Sequence, residues 1–182
     1  MEQVNNNARS RWLVAALIVA AVIADQVVKL YRATHYTLGE SREVLPFFLL
    51  CYVENDGMAF GIEWFDKLFL TIFRIIAVGI LIWYMHRLIK RGTRNSYLTM
   101  IALTTAGALG NIIDCIFYGQ WFGYASLFYG KVVDMLYFPI ITNSAGECLF
   151  FRPVFNLADS YITVSVIAIL IWFRKDLDGS LH

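Results

Sequence analysis

Apolar residues gather along this chain into four long blocks, at 12–30, 68–88, 97–118 and 155–173. Each approaches the roughly 20 apolar residues that a helix needs to cross a bilayer core. An even number of spans places both ends of the chain on one side. Arg9 and Arg11 precede the first block, Arg87, Lys90, Arg91 and Arg94 fill the connection between the second and third, and Arg174 and Lys175 follow the fourth. Only Glu2, Asp176 and Asp178 oppose them on these short segments. The positive-inside rule then puts both termini in the cytoplasm and turns the two longer loops, 31–67 and 119–153, to the outer side.

The first outer loop holds Glu43-Val44-Leu45-Pro46-Phe47-Phe48-Leu49-Leu50-Cys51-Tyr52-Val53, with turn residues Asn55-Asp56-Gly57 behind it. Short, β-branched and aromatic, this stretch predicts a small strand pair on the membrane surface. The second outer loop carries Trp121, Phe122, Tyr124, Phe128 and Tyr129, residues that rest in the interface rather than in water. No repeat, low-complexity tract or second domain is visible. The first apolar block runs into Asp25-Gln26-Val27-Val28-Lys29 without a clear cleavage site, so it reads as an uncleaved span rather than a removed leader. The expected fold is an all-α polytopic membrane protein: one domain of four transmembrane helices with a small β-like subdomain on the outer (periplasmic) face.

Composition narrows the classes. The chain has 182 residues, 59% hydrophobic and 16% charged, and its mean hydropathy is +0.59. A soluble domain is about 45–50% apolar and about 25% charged. A soluble enzyme, a disordered chain, a basic nucleic-acid binder and a disulfide-stapled module are all poor fits. The net charge of +1 names no partner, and an aromatic content of 16% suits interfacial belts against membrane lipids. Cys51, Cys115 and Cys148 have no metal-type spacing and read as small buried residues. A Cys51–Cys148 disulfide stays open only if both face an oxidising compartment.

The few charges inside apolar sequence carry the chemistry, because such groups are costly and mark function by default. Asp25 lies about 20 Å up the first span, Asp114 about 26 Å up the third, and Asp159 about 6 Å into the fourth from its outer end. Asp134 sits in the apolar outer stretch Lys131-Val132-Val133-Asp134-Met135-Leu136. Four acids from separate parts of the chain thus converge on the outer half of the membrane. Two carboxylates sharing a site do not both ionise easily, so one holds a proton and serves as acid while the other serves as base. Such a dyad activates water against an amide. No metal or cofactor is called for. There is no H-E-x-x-H, and His35, the one outer-side histidine, has no evident Ser or Cys partner. Plainer roles stand beside this one. Asp25 and Lys29 are four apart and can pair along one helix face, and Asp114 shares a face with Asn111 and can serve as polar glue between helices. Arg74, about 9 Å inside the second span, is a counter-ion candidate or snorkels outward. Spacing alone does not select which two acids form the dyad.

The motifs select them by resemblance. Asp25-Gln26-Val27-Val28-Lys29 resembles the D-x-x-x-K element of bacterial lipoprotein signal peptidases, also called signal peptidase II. Asn55-Asp56-Gly57-Met58-Ala59-Phe60-Gly61 resembles their N-x-G-x-A-F loop, and Gly107-Ala108-Leu109-Gly110-Asn111-Ile112-Ile113-Asp114 their G-A-x-G-N-x-x-D segment. Val132-Val133-Asp134 and Phe155-Asn156-Leu157-Ala158-Asp159-Ser160 resemble the V-V-D and F-N-x-A-D motifs that hold the two catalytic aspartates. The resemblance covers essentially the whole chain. It implies an aspartic endopeptidase of the bacterial cytoplasmic (inner) membrane that cleaves prolipoproteins just before a diacylglyceryl-modified cysteine, with its site toward the periplasmic face. It implies Asp134 and Asp159 as the dyad, with Asp25, Lys29, Asn55, Gly57, Asn111, Asp114, Asn156 and Ala158 binding substrate or supporting the site. Inhibition by globomycin-type cyclic peptides is implied too. Two features depart from the family pattern. Cys115 stands where the family usually has Arg, with Arg74 and Arg152 as candidate replacements for its charge, and the connections Asp114–Asp134 and Asp134–Asp159 are longer than usual. Two rival readings are a small proton- or cation-coupled membrane transporter, which typically shows repeats or broken midplane helices, and a scaffold that uses its acids as structural glue.

Overall fold

The structure is a computed structural model that describes residues 2–56, 67–142, 148–150 and 153–181. Helix α1 spans Glu2–His35, a stretch without a single Gly or Pro to interrupt it. A hairpin follows, β1 (Ser41–Leu45) and β2 (Phe48–Asn55), antiparallel and turning at Pro46-Phe47. This is the strand pair that the short, β-branched and aromatic stretch predicts. Helix α2 (Lys67–Lys90) ends where Gly92 takes a φ of +71° and Thr93 N–H donates back to Leu88 O at 3.1 Å, a left-handed helix stop. Helix α3 (Asn95–Ile113) continues into a π-helical turn, Asp114–Tyr118, and a short α4 (Gly119–Trp121). Strand β3 (Val132–Tyr137), the two-stranded ribbon β4 (Ile141–Thr142) and β5 (Cys148–Phe150), α5 (Leu157–Trp172) and α6 (Arg174–Leu181) complete the order.

Among the described residues, three helical stretches are long and apolar enough to cross a bilayer: Asn7–His35, Lys67–Lys90 and Asn95–Trp121. The fourth apolar helix, α5, has 16 residues, about 24 Å against a core of about 30 Å. Its first two expected residues belong elsewhere. Phe155 forms a bridge with Leu136, and Asn156 caps the helix.

Helix α3 is the centre of the bundle and packs on α1, α2 and α5. At its start, Tyr97, Leu98, Ile101 and Ala102 form a core with Val14, Met85, Leu88 and Ile169. The outer helices turn apolar faces away from the protein: Val19, Ile23 and Val27 on α1, Phe73, Ile76 and Ile80 on α2, and Val164, Ile167 and Ile171 on α5 are all exposed. These residues recur at intervals of three and four, so each face is one stripe turned to lipid rather than water.

At the other end of the bundle the hairpin gains a third strand. β3 pairs antiparallel with β2, giving the order β1-β2-β3, and Leu136 at its free edge exchanges hydrogen bonds with Phe155. The sheet packs Tyr52, Val133 and Met135 against Tyr118, Val28 and Ile113 at the tops of α1 and α3. The aromatic loop after α4 folds back on the π-helical turn. Gly130 N–H donates to Cys115 O at 2.8 Å, and Phe128 N–H to Ile116 O at 3.1 Å. Only glycine fits at 130, because a Cβ there would lie 2.1 Å from Asp114 O. Cys51 and Cys115 are buried free thiols, and the side chain of Cys148 lies outside the described residues.

Candidate active site

Four acids, one lysine and several side-chain amides meet where the sheet joins the helix tops. Lys29 is fully buried and saturated: its Nζ donates to Asp25 Oδ2 at 2.9 Å, Asp114 Oδ2 at 2.8 Å and Asn111 Oδ1 at 2.9 Å. A buried ammonium persists only with such partners. The i,i+4 pairing of Asp25 and Lys29 is therefore present, but it is one part of a larger network. The ammonium that neutralises Asp25 and Asp114 is Lys29. Arg74 instead donates from Nη1 to Cys115 Sγ at 2.9 Å, so it reaches the cysteine as one of the two candidate cations. The other, Arg152, lies outside the described residues.

Each supporting acid grips the backbone next to one outer acid. Asp25 Oδ1 accepts from Ala158 N–H at 3.0 Å, one residue before Asp159. Asp114 Oδ2 accepts from Val133 N–H at 3.3 Å, one residue before Asp134. Lys29 thus ties two arms, the start of α5 and strand β3, to a single charge. Ala158 is fully buried against α3, where small residues permit the approach: a Cβ at Gly107 would lie 2.3 Å from Ala158 O, and one at Gly110 would lie 2.5 Å from Asp25 Oδ2.

Asn156 and Asn111 join the arms. Asn156 Nδ2 donates to Asp134 Oδ1 at 2.7 Å and to Asn111 Oδ1 at 3.1 Å. Its Oδ1 accepts from Asp159 N–H at 2.9 Å, and Asp159 Oδ2 accepts from Asn156 N–H at 3.3 Å, forming a reciprocal capping box at the start of α5. Asn111 Oδ1 is occupied by Lys29 and Asn156, which leaves its Nδ2 to donate to Asp159 Oδ1 at 2.8 Å. From β2, Asn55 Nδ2 donates to Asp134 Oδ2 at 3.0 Å. The register permits this, since Asn55 stands opposite Val132, two residues from Asp134 on the same face.

Asp134 is buried and Asp159 partly open. Burial pushes the Asp134 carboxyl up from its ordinary 3.8 to about 7, with the Asp159 charge adding to the rise, against the Asn55 and Asn156 hydrogen bonds that favour the anion. Asp134, with its raised carboxyl, and the partly open Asp159 are linked through Asn156, an arrangement that can serve general acid–base chemistry. From Asp159 a groove of 390 Å³ runs along α5, lined by Pro153, Phe155, Ser160, Thr163 and Val164. Its walls suit an apolar ligand lying in the membrane.

The structure brings together Asp25, Lys29, Asn55, Asn111, Asp114, Asp134, Asn156, Ala158 and Asp159, while Gly57 lies outside the described residues. Two residues that the sequence reading did not single out belong with them. Gln26 Nε2 donates to Asp114 Oδ1 at 2.9 Å, with Gly110 O at 3.1 Å and Asp25 Oδ2 at 3.2 Å also in reach. Its Oε1 accepts from Tyr118 O–H at 3.1 Å. The available signal was an amide side chain in the apolar outer half of the first span. His35 stacks on Tyr31 and bonds Thr34, away from this cluster. Among the described residues, no three His, Cys, Asp or Glu side chains are grouped to hold a metal ion.

Residues 17–175 match the family model described as signal peptidase (SPase) II. A protein of Porphyromonas gingivalis named lipoprotein signal peptidase is 42% identical, over 92% of this chain and 87% of its own length. Proteins of the same name from Staphylococcus aureus and Streptococcus pneumoniae are 40% and 33% identical, over 88% and 94% of this chain and 86% and 99% of theirs. A solved structure described as a bacterial membrane enzyme superposes with a TM-score of 0.67 at 32% identity, covering 90% of this chain and 94% of that one.

Proposed function

The chain belongs to the signal peptidase II family, and from that membership and the geometry of its acids we propose an aspartic endopeptidase with Asp134 and Asp159 as its dyad. It removes signal peptides from prolipoproteins, cutting before the diacylglyceryl-modified cysteine. The observation that carries the dyad is the shared Asn156, which bonds the side chain of Asp134 and caps the helix turn that holds Asp159. Asp134, whose carboxyl is pushed up by burial, serves as the acid and Asp159 as the base. Asp159 takes a proton from water as its oxygen bonds to the scissile carbonyl carbon, and Asp134 passes its proton to the carbonyl oxygen. When the tetrahedral intermediate collapses, the C–N bond breaks, the departing amine takes the proton from Asp159, and the re-forming carbonyl returns a proton to Asp134. Asn111 orients Asp159, Asn55 and Asn156 orient Asp134, and Asp25, Lys29, Asp114 and Ala158 hold the two arms at a fixed spacing.

A lipidated cysteine stays at the depth of its acyl chains, so the acids that cut beside it belong at the membrane surface. The groove along α5 starts at Asp159 and holds apolar parts of the substrate, and globomycin-type inhibitors compete for it. The whole chain is one membrane domain in which α5 is the fourth span, the termini are cytoplasmic and the dyad faces the periplasm. No observation favours the transporter reading. The test is turnover of a diacylated prolipoprotein peptide by Asp134→Asn and Asp159→Asn. Each is expected to lose nearly all activity, and undiminished turnover in either overturns the assignment.

A further inference from the structure

A second cavity lies at the opposite end of the bundle from the acids. It is a groove of 360 Å³ between α1 and α2, floored by Thr105 and Leu109 of α3. Val14, Ala15, Ile18 and Val19 form one wall, and Ile82, Met85 and Ile89 the other. The Thr105 hydroxyl is spent on Ile101 O at 2.7 Å, so the floor offers no free donor. Two polar side chains complete the lining, Arg11 from α1 and His86 from α2. Both are exposed, and no ion pair involves either among the described residues.

We propose that this groove binds one anionic phospholipid, with an acyl chain between α1 and α2 and the phosphate on Arg11 and His86. The depth fits. From Arg11 to Val19 the wall rises about 12 Å, less than half of a core about 30 Å thick, so the α1 and α2 walls lie within a single leaflet. Trp12, the residue after Arg11, is 78% exposed, and Trp83, three residues before His86 on α2, is 56% exposed. Exposed tryptophans gather at the headgroup level, which sets Arg11 and His86 at phosphate depth. The Arg87 guanidinium lies 5.0 Å above the Trp83 ring and adds positive charge at that level. A basic pocket between helices that opens into an apolar cleft takes the phosphate of an anionic lipid and its chain together. The same charge disfavours a signal peptide as occupant, since its leading segment is itself basic. The site is therefore separate from the substrate groove at Asp159, which no basic side chain lines among the described residues.

Native mass spectrometry of the full chain in detergent, titrated with dioleoyl phosphatidylglycerol or dioleoyl phosphatidylcholine, tests the proposal. The wild type is expected to retain one phosphatidylglycerol in preference to phosphatidylcholine. Arg11→Gln should weaken its retention about fivefold, the effect of one basic charge at an anionic surface, and Arg11→Gln with His86→Gln should abolish the preference. Ala15→Trp fills the groove while keeping both polar groups, and it should expel the lipid. Each variant should keep its peptidase activity, which shows that it is folded. Equal retention of the two lipids by the wild type overturns the site, as does a preference that survives the double substitution. Full retention by the filled variant overturns the seat for the chain.

Discussion

Lys29→Met tests the architecture of the site more sharply than either substitution in the proposed dyad. Methionine matches the length of lysine and keeps the helix, so the change removes one charge and three hydrogen bonds of 2.8–2.9 Å. It leaves Asp25 and Asp114, 1% and 0% exposed, buried without a counter-ion. Breaking one buried pair in this way costs about 3–5 kcal/mol, because the abandoned charge stays desolvated. For a chain of this size each kcal/mol lowers the melting temperature by about 2–4 °C, so a fall of roughly 6–20 °C is expected. The two acids also hold Ala158 N–H and Val133 N–H, so their repulsion spreads the arms that carry Asp159 and Asp134. A displacement of about 1 Å costs about a hundredfold in rate, which should appear in kcat rather than KM. Thermal unfolding in detergent and single-turnover cleavage of a diacylated peptide measure both effects. Lys29→Met with Asp114→Asn lowers the buried charge again and should recover part of the lost stability. A Lys29→Met protein melting within about 2 °C of wild type refutes the reasoning, as does a double variant no more stable than the single.

Three further outcomes follow from named contacts. The folded Asp134 carboxyl titrates near 7 rather than 3.8, so the folded state binds its proton more tightly and stability declines as pH rises from about 4 to about 7. Asp134→Asn should therefore melt higher than wild type at pH 8, match it near pH 4, and have no peptidase activity; a variant no more stable than wild type at pH 8 contradicts the linkage. The wild-type kcat/KM should fall above about pH 7 as Asp134 loses its proton, and Asn55→Ala, by removing a hydrogen bond that favours the anion, should move this limb upward; a limb that stays in place excludes Asp134 as the acid. Gly107→Ala forces a Cβ toward Ala158 O and should cost about 1–3 kcal/mol together with activity, whereas Gly79→Ala, with nothing within 4 Å, should gain up to about 1 kcal/mol and leave turnover unchanged; equal effects from both in unfolding and cleavage assays rule out close α3–α5 packing as the cause.

The acids were legible in the sequence because a charge inside an apolar block stands out, and helical rise alone placed three of them at similar depth. The hairpin was legible because its strands are short, β-branched and bounded by turn residues. β3 was not, because Val132, Val133, Asp134 and Met135 are all buried. With both faces covered the alternation that marks a strand disappears, and a short apolar run fits a strand or a helix equally well. The start of α5 was misplaced for a related reason: Phe155 counts as apolar span sequence but is spent on a bridge to Leu136. Spacing within α1 reveals Asp25 with Lys29, since four residues make one helical turn. It says nothing about Asp114, which reaches the same ammonium from a helix 85 positions further along, nor about the π-helical turn that begins there.

That long-range contact explains what the sheet contributes to the proposed site. A dyad built on two parallel helices would inherit its spacing from helix packing, which an apolar lipid environment does little to fix. Here one acid stands on a strand whose backbone is bonded to β2 on one side and to Phe155 on the other. Its partner stands in the first turn of a helix, held by a capping box. Strand and helix end are rigid separately, and their relative position is the remaining freedom. Lys29 removes it by drawing together Asp25, which holds the helix end, and Asp114, which holds the strand. Asn156 and Asn111 then convert that fixed spacing into fixed carboxylate orientations, because each amide oxygen is already engaged and only its N–H groups face the dyad. The supporting acids therefore act through the backbone, and the buried lysine that pairs with them sets the distance between two groups it does not touch.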